Sequence, residues 1–271
     1  MNRNFDIIII GGGLVGLASA LKIQQKLPEK TILVIEKEKD LALHQSGRNS
    51  GVLHSGLYYK NGSLRADNCV KGRREIVSFA KEHNISHDVC GKLVVATNER
   101  EKESLPGLLK NGTINGLEGL KIINQDEIKE IEPFVNGCSA IWVPETGIID
   151  YRAVAKKMAF LIQKINIASK VITGSEVLSF KKEVDKTTVF TKDYQFQCDN
   201  IVFCAGLFSD RLAKLDNLKL DIKIVGFRGD YYTLTKHAQH KVKNLIYPVP
   251  NPEFPFLGVH FTRMIDGNIE C

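Results

Sequence analysis

The chain has 271 residues, 43% of them hydrophobic and 25% charged, with a net charge of +6. That length allows a large core, in one elaborate domain or two ordinary ones, and no run approaches the roughly 18 apolar residues of a membrane-crossing helix. The positive balance suits acidic small molecules or an anionic membrane surface, but the basic residues form no dense stripe, which argues against a nucleic acid partner.

The first residues lack the charged, apolar and small-residue succession of a signal peptide, so the protein is expected in the cytoplasm. Six cysteines are scattered without a Cys-x-x-Cys pair and are expected as reduced thiols.

In chain order, residues 5–10 form a continuous β-branched run, as in a parallel strand covered on both faces, stopped by Gly11. Residues 14–27 follow with helical spacing, and 31–35 make a second buried strand that closes on Glu36. This is one complete β-α-β unit. Gly11, Gly13 and Gly16 place Gly-x-Gly-x-x-Gly between strand and helix, where the backbone can approach a pyrophosphate at the helix N-terminus. Glu36, twenty residues beyond Gly16, is positioned to accept hydrogen bonds from ribose hydroxyls and disfavours a phosphorylated ribose. A dinucleotide site is therefore expected, with the choice between NAD and FAD left to later segments.

A small polar loop follows, with Ser46, Arg48, Asn49, Ser50 and Gly51 as candidate cofactor contacts. A third strand would follow promptly in an NAD enzyme, whereas a loop here suits FAD. A helix is expected over 63–82 and a strand over 87–97. Asn124 can cap a short helix through 130, residues 140–143 read as a strand, and Asp150 can cap a helix over 151–164. Strands are then expected at 177–181, 187–191, 194–198 and 201–204. Val177, which opens the first of these, and Ala205 with Gly206, which form a second strand-to-glycine turn after the last, join the cofactor candidates.

Beyond residue 220 the pattern is β-dominated, with strands expected at 222–225, 230–235, 245–247 and 257–264, and prolines 248, 250, 252 and 255 between them. Asp266 and Gly267 signal a hairpin whose returning strand starts at 268. A chain ending four residues into that strand is expected to be a fragment of a longer protein. With no internal repeat or low-complexity linker, the two domains are expected to interleave.

The segments LHQSGRNSGVLHSGLYY (43–59), VGFRGDYYTL (225–234) and LIYPVPNPEFPFLGVHFTRMIDG (245–267) resemble the L-2-hydroxyglutarate oxidase/dehydrogenase family, within the D-amino-acid-oxidase-like flavoproteins. The resemblance covers essentially the whole chain. It implies an α/β fold: an FAD-binding Rossmann-like βαβ fold with an interleaved, antiparallel-sheet-rich substrate domain. The expected FAD-binding domain is 1–84 with 140–216, and the substrate domain 85–139 with 217–271. It also implies FAD as cofactor, a 2-hydroxy dicarboxylate as substrate, and oxygen or a membrane quinone as electron acceptor, with peripheral contact at the inner face of the cell membrane left open. In this family the chain continues past residue 271 to a glycine-containing segment that returns to the flavin.

Such a reaction needs a base for the hydroxyl proton and cations for two carboxylates. His260 and His54 are the candidate bases, and Arg228 is the candidate carboxylate clamp. Tyr232 and Tyr247 can supply hydroxyls. Regular strand alternation sends His260 and Thr262 to one face and Phe261 and Arg263 to the other, which favours His260 over Arg263 as the substrate-side residue. The pairs His83 with His87 and His237 with His240 lack further ligands nearby, so no metal is expected. Competing readings are an amine or glycerol-3-phosphate oxidising relative, and a non-catalytic fragment.

Overall fold

The computed structural model describes residues 3–251, 253 and 258–271. In chain order the elements are β1 (Asn4–Ile10), α1 (Leu14–Lys26), β2 (Ile32–Ile35), β3 (Val52–Leu53), α2 (Leu64–Glu82), β4 (His87–Asp88) and β5 (Lys92–Ala96). Then come α3 (Glu99–Ile114), β6 (Lys121–Asn124), α4 (Gln125–Ile131), β7 (Ser139–Val143), β8 (Gly147–Ile149), α5 (Tyr151–Ile165) and β9 (Lys170–Ile172). The remainder holds β10 (Val177–Lys182), β11 (Thr187–Thr191), β12 (Gln195–Phe203), α6 (Ser209–Leu215), β13 (Leu245–Pro248), β14 (Thr262–Arg263) and β15 (Ile269–Glu270). None of the described helices is long and apolar enough to cross a membrane. All six cysteines are free.

The chain divides into two compact units, residues 1–49 with 151–228, and residues 50–150 with 229–271. These divisions differ from the domain boundaries expected from sequence, for reasons visible in the packing. Val70 of α2 buries against Leu57, Val94 and Ile141 of the second unit, and β7 and β8 pair only with strands of that unit.

The first unit is built on a six-stranded sheet in the order β10-β11-β12-β1-β2-β9. β1 lies at its centre, parallel to both neighbours, with Ile8 opposite Leu33 and Ile201. Its isoleucines sit between two covered faces, and Ile8 and Ile9 are fully buried, each contributing about 1.5–3 kcal/mol over an exposed side chain. α1 packs on α5, whose buried stripe Val154, Ala155, Met158, Ala159 and Ile162 recurs at helical spacing. The two strands expected at 194–198 and 201–204 are one continuous strand, β12, because parallel pairing to β1 carries through 200.

The second unit holds a four-stranded sheet, β13-β5-β7-β6, and a small sheet, β3-β8-β4. The strand expected over 87–97 is broken at 89–91, where Gly91 donates to the Thr146 carbonyl and the Trp142 ring lies over it. Ser63 caps α2, and Asn124 caps α4 with a full capping box to Glu127. Helix α3 lies where no element is expected from sequence, because Pro106 and Gly107 sit at its middle. It forms nonetheless, capped by Asn98 and held by fully buried Leu105.

The strand expected at 222–225 does not form and its backbone is irregular. At 230–235 the pairing is short: Tyr232 and Cys271 exchange backbone hydrogen bonds, the Leu234 amide donates to the Ile269 carbonyl, and Thr233 bridges to Glu270. Ile222, Val225 and Tyr232 are exposed there, and β-branched side chains favour a strand only when packed against neighbours. The strand expected over 257–264 begins at Leu257, which lies outside the described residues, as do Pro252 and Pro255. Within the described part only 262–263 is strand, with Phe261 bridged to Ile246. The hairpin at Asp266 and Gly267 is present, pairing β14 with β15.

Candidate active site

The nucleotide site begins where β1 ends. Gly11 has φ +116°, and a Cβ there would sit 2.3 Å from the Cys204 carbonyl oxygen. Gly11 donates to the Ile35 carbonyl and Cys204 to that of Ile10, so both neighbouring strands tie down the tip of β1. A Cβ at Gly16 would lie 2.0 Å from the Gly11 carbonyl oxygen. Only glycine at both places lets the turn fold under the start of α1.

The Gly12 amide donates to Glu36 Oε2 at 2.7 Å, and the Glu38 amide donates to Oε1 at 2.9 Å. Two backbone donors thus hold the carboxylate at the end of β2. The Ser46 hydroxyl accepts from the Leu14 amide at 2.9 Å, at the N-terminus of α1.

These residues open on a cavity of about 570 Å³ within the first unit. Gly11, Gly13, Glu36, Ser46, Val177, Ala205 and Gly206 of the expected set line it together. Gly16 stands behind the wall as a packing residue. Arg48 and Asn49 are exposed and do not line it; the Arg48 amide donates to the His44 carbonyl, and Asn49 Nδ2 to those of Gln45 and Ser46. Ser50 and Gly51 belong to the second unit, where the Ser50 hydroxyl donates to Glu270 and the Gly51 carbonyl accepts from the Ile149 amide. Sequence reading missed Phe208, which lines the cavity with the Lys37 ammonium 3.5 Å from its ring centre and the Arg211 guanidinium 4.5 Å away. A glycine cradle at a helix N-terminus, a fixed carboxylate and a long apolar wall fit a dinucleotide.

The second unit gathers a different kind of site. Alternation along β5 puts Lys92 on the face of Val94 and Ala96, which pack with Leu57 and Tyr58. Lys92 is 1% exposed, with its ammonium 4.7 Å from the Tyr58 ring centre and 4.9 Å from that of Tyr247. Burial lowers its pKa to about 8, which leaves about nine-tenths of it charged at pH 7. Two ring contacts return about 1–4 kcal/mol together, less than the several kcal/mol that desolvating an ammonium costs. The Tyr58 hydroxyl is buried without a hydrogen-bond partner among the described residues, and burial pushes its pKa up.

The rings of Tyr247 and His260 lie 4.4 Å apart. His260 Nδ1 is 2.9 Å from the Gly258 carbonyl. A carbonyl only accepts, so Nδ1 carries the hydrogen and Nε2 of the neutral ring has its lone pair available. His260 precedes β14 rather than lying within a strand, so regular alternation does not govern its direction. Arg263 pairs with Asp88.

His54 keeps an accessible face while protein crowds its other sides. That crowding is the first cause lowering its pKa to about 4, followed by the Lys92 ammonium, His260 and Arg65. The accessible face limits the desolvation, and the direction leaves a neutral imidazole at pH 7. Tyr232 is exposed; burial pushes the pKa of Tyr247 up, with a smaller contribution in the same direction from Tyr231. Arg228 is exposed at the last position of the first unit. Lys92 and Tyr58 escaped sequence reading; the available signal was a lysine opening the otherwise apolar strand KLVVA.

The family model DAO, described as FAD dependent oxidoreductase, matches residues 6–270. An L-2-hydroxyglutarate dehydrogenase of Indibacter alkaliphilus is 47% identical over 269 residues, covering 99% of this chain and 67% of that protein. The mitochondrial L-2-hydroxyglutarate dehydrogenase of Pongo abelii is 45% identical over 278 residues, covering 98% of this chain and 66% of its own length. The chain thus spans about two thirds of the length of these relatives. Among solved structures, the FAD-bound L-alpha-glycerophosphate oxidase of Mycoplasma pneumoniae superposes with a TM-score of 0.82 at 25% identity, over 98% of this chain and 70% of that one.

Proposed function

The chain belongs to the DAO family of FAD dependent oxidoreductases, and on that premise we propose that it oxidises the C2 hydroxyl of L-2-hydroxyglutarate to the ketone of 2-oxoglutarate. The observation that carries this reading is identity across nearly the whole chain to relatives bearing that name. FAD is the cofactor, and the glycine cradle fits it, since any Cβ at Gly11 or Gly16 would fill the space the turn needs. The first unit is the FAD-binding one: Gly11 and Gly13 would hold the pyrophosphate and Glu36 the ribose hydroxyls, and Ser46, Val177, Ala205 and Gly206 would form the remaining wall. Gly16 supports the cradle from behind, and Arg48, Asn49, Ser50 and Gly51 complete the cofactor loop.

The second unit supplies the acid–base chemistry. His260 Nε2, left without a hydrogen by the Nδ1 bond to Gly258, takes the proton of the substrate hydroxyl. His54, held neutral, donates its ring N–H to the oxygen of the same hydroxyl and keeps it oriented. Arg228 offers a planar fork to the carboxylate beside the reacting carbon, and Tyr232 an exposed hydroxyl. FAD, when bound, would supply the acceptor for the hydride from C2, with oxygen or a membrane quinone as the final electron acceptor. A net charge of +6 suits a cytoplasmic protein that touches an anionic membrane face during that transfer.

Absorption spectroscopy of the purified protein tests this reading. Flavin bands near one per chain are expected, bleached anaerobically by L-2-hydroxyglutarate but not by its D isomer, glycerol 3-phosphate or sarcosine. Bleaching by glycerol 3-phosphate or sarcosine instead would move the substrate to that class, and a protein without flavin would be a non-catalytic chain.

A further inference from the structure

Lys92 is the buried charge that the chemistry above leaves unused. Among the described residues it has neither a carboxylate partner nor a hydrogen bond, and two tyrosine faces flank its ammonium. The hydroxyl of Tyr58, whose ring lies against the ammonium, is also buried and has no hydrogen-bond partner among the described residues. A cation and a donor left unpaired together mark a place where an anion completes the structure. Its charged form takes no proton from the substrate, and the role that form can play is binding.

We infer that Lys92 and the Tyr58 hydroxyl form a subsite for the substrate carboxylate remote from the reacting carbon. The inference rests on the 2-hydroxy dicarboxylate reading and deepens it by naming what selects the second carboxylate. Depth decides which carboxylate is held. The reacting carbon and its neighbouring carboxylate must stay beside the histidines, and His54 keeps an accessible face, whereas Lys92 is 1% exposed on the inner face of its sheet. The deeper point is therefore assigned to the far end of the five-carbon diacid. The aromatic walls strengthen the pairing by excluding water from it.

The test uses flavin-loaded protein and the variants Lys92→Met and Lys92→Arg. L-2-hydroxybutyrate lacks the remote carboxylate and serves as the comparison substrate. Lys92→Met is expected to lower kcat/KM for L-2-hydroxyglutarate by roughly 100-fold or more, and for L-2-hydroxybutyrate by less than about 5-fold, with Lys92→Arg between wild type and Met for the diacid. Glutarate binding, followed by calorimetry, should weaken by a similar factor in Lys92→Met. The melting temperature should hold or rise, because an apolar chain of similar shape replaces a buried ammonium. Equal losses for both substrates, or a lowered melting temperature with flavin lost, would place Lys92 in the fold or at the reacting end and overturn the subsite. Unchanged diacid kinetics would overturn it too. Should wild-type protein fail to oxidise L-2-hydroxyglutarate, the function falls by itself; glutarate binding that depends on Lys92 would still support the carboxylate subsite, and binding indifferent to it would sink that as well.

Discussion

The turn at Gly11 and the cluster around Lys92 solve opposite problems. In the first unit the site is made of backbone: amides of Gly12, Leu14 and Glu38 have partners, strand ends are tied to one another, and missing side chains create the space. In the second unit the site is made of side chains from separate strands and loops, and among the described residues it keeps a buried cation without a counter-charge and a buried hydroxyl without a hydrogen-bond partner. A backbone site can be satisfied before its ligand arrives, because its donors point along the chain. A side-chain site that must grip a charged substrate carries an unfavourable term until the substrate supplies the counter-charge. The first should fail by losing stability when altered, the second by losing affinity.

The largest effect that tests this contrast belongs to Gly16→Val. Its side chain would start 2.0 Å from the Gly11 carbonyl oxygen, and a loss of about 3 kcal/mol or more is expected in urea unfolding, with flavin lost on purification. Retained flavin and unchanged stability would show that the turn relaxes freely. Glu36→Leu comes next. It strands the amides of Gly12 and Glu38, so about 2–3 kcal/mol of stability should disappear along with most of the FAD affinity.

A pH comparison probes the second unit. The pKa of His54 in the folded protein is about 4, below its ordinary 6.5, so the folded state binds fewer protons than the unfolded one between those values. Stability from this group is complete above about pH 6.5, declines as pH falls toward 4, and is flat below. Urea midpoints at pH 7.5 and pH 5 should therefore differ more in wild type than in His54→Gln, and parallel shifts would contradict the crowding around the ring. The smallest effect is expected for Tyr58→Phe. Removing an unpartnered buried hydroxyl should leave the melting temperature unchanged or raise stability by up to about 1 kcal/mol, while glutarate affinity falls about 10-fold. A clear loss of stability would mean that the hydroxyl has a structural partner.

Much of the first unit was legible because its signals are local. The β-branched run at 5–10, the glycines and Glu36 lie within one β-α-β unit, and each is constrained by its own neighbours. Asn124 was readable as a cap for the same reason. Helix α3 was not, since the tertiary burial of Leu105 outweighs the local cost of Pro106 and Gly107. At 222–225 the opposite occurred: strand-forming residues found no partner strand among the described residues and stayed irregular.

By itself, then, the sequence determined the dinucleotide turn, the hairpin at Asp266 and Gly267, and the family resemblance, because glycine sterics, turn geometry and short motifs act over a few residues. The tertiary structure decided that Lys92 is a buried cation, that Tyr58 and Tyr247 enclose it, and that His260 Nδ1 is held by Gly258. Those properties depend on which strands become neighbours. A lysine in KLVVA acquires its lowered pKa only when the β13-β5-β7-β6 sheet closes around it and removes the water that would otherwise solvate its charge.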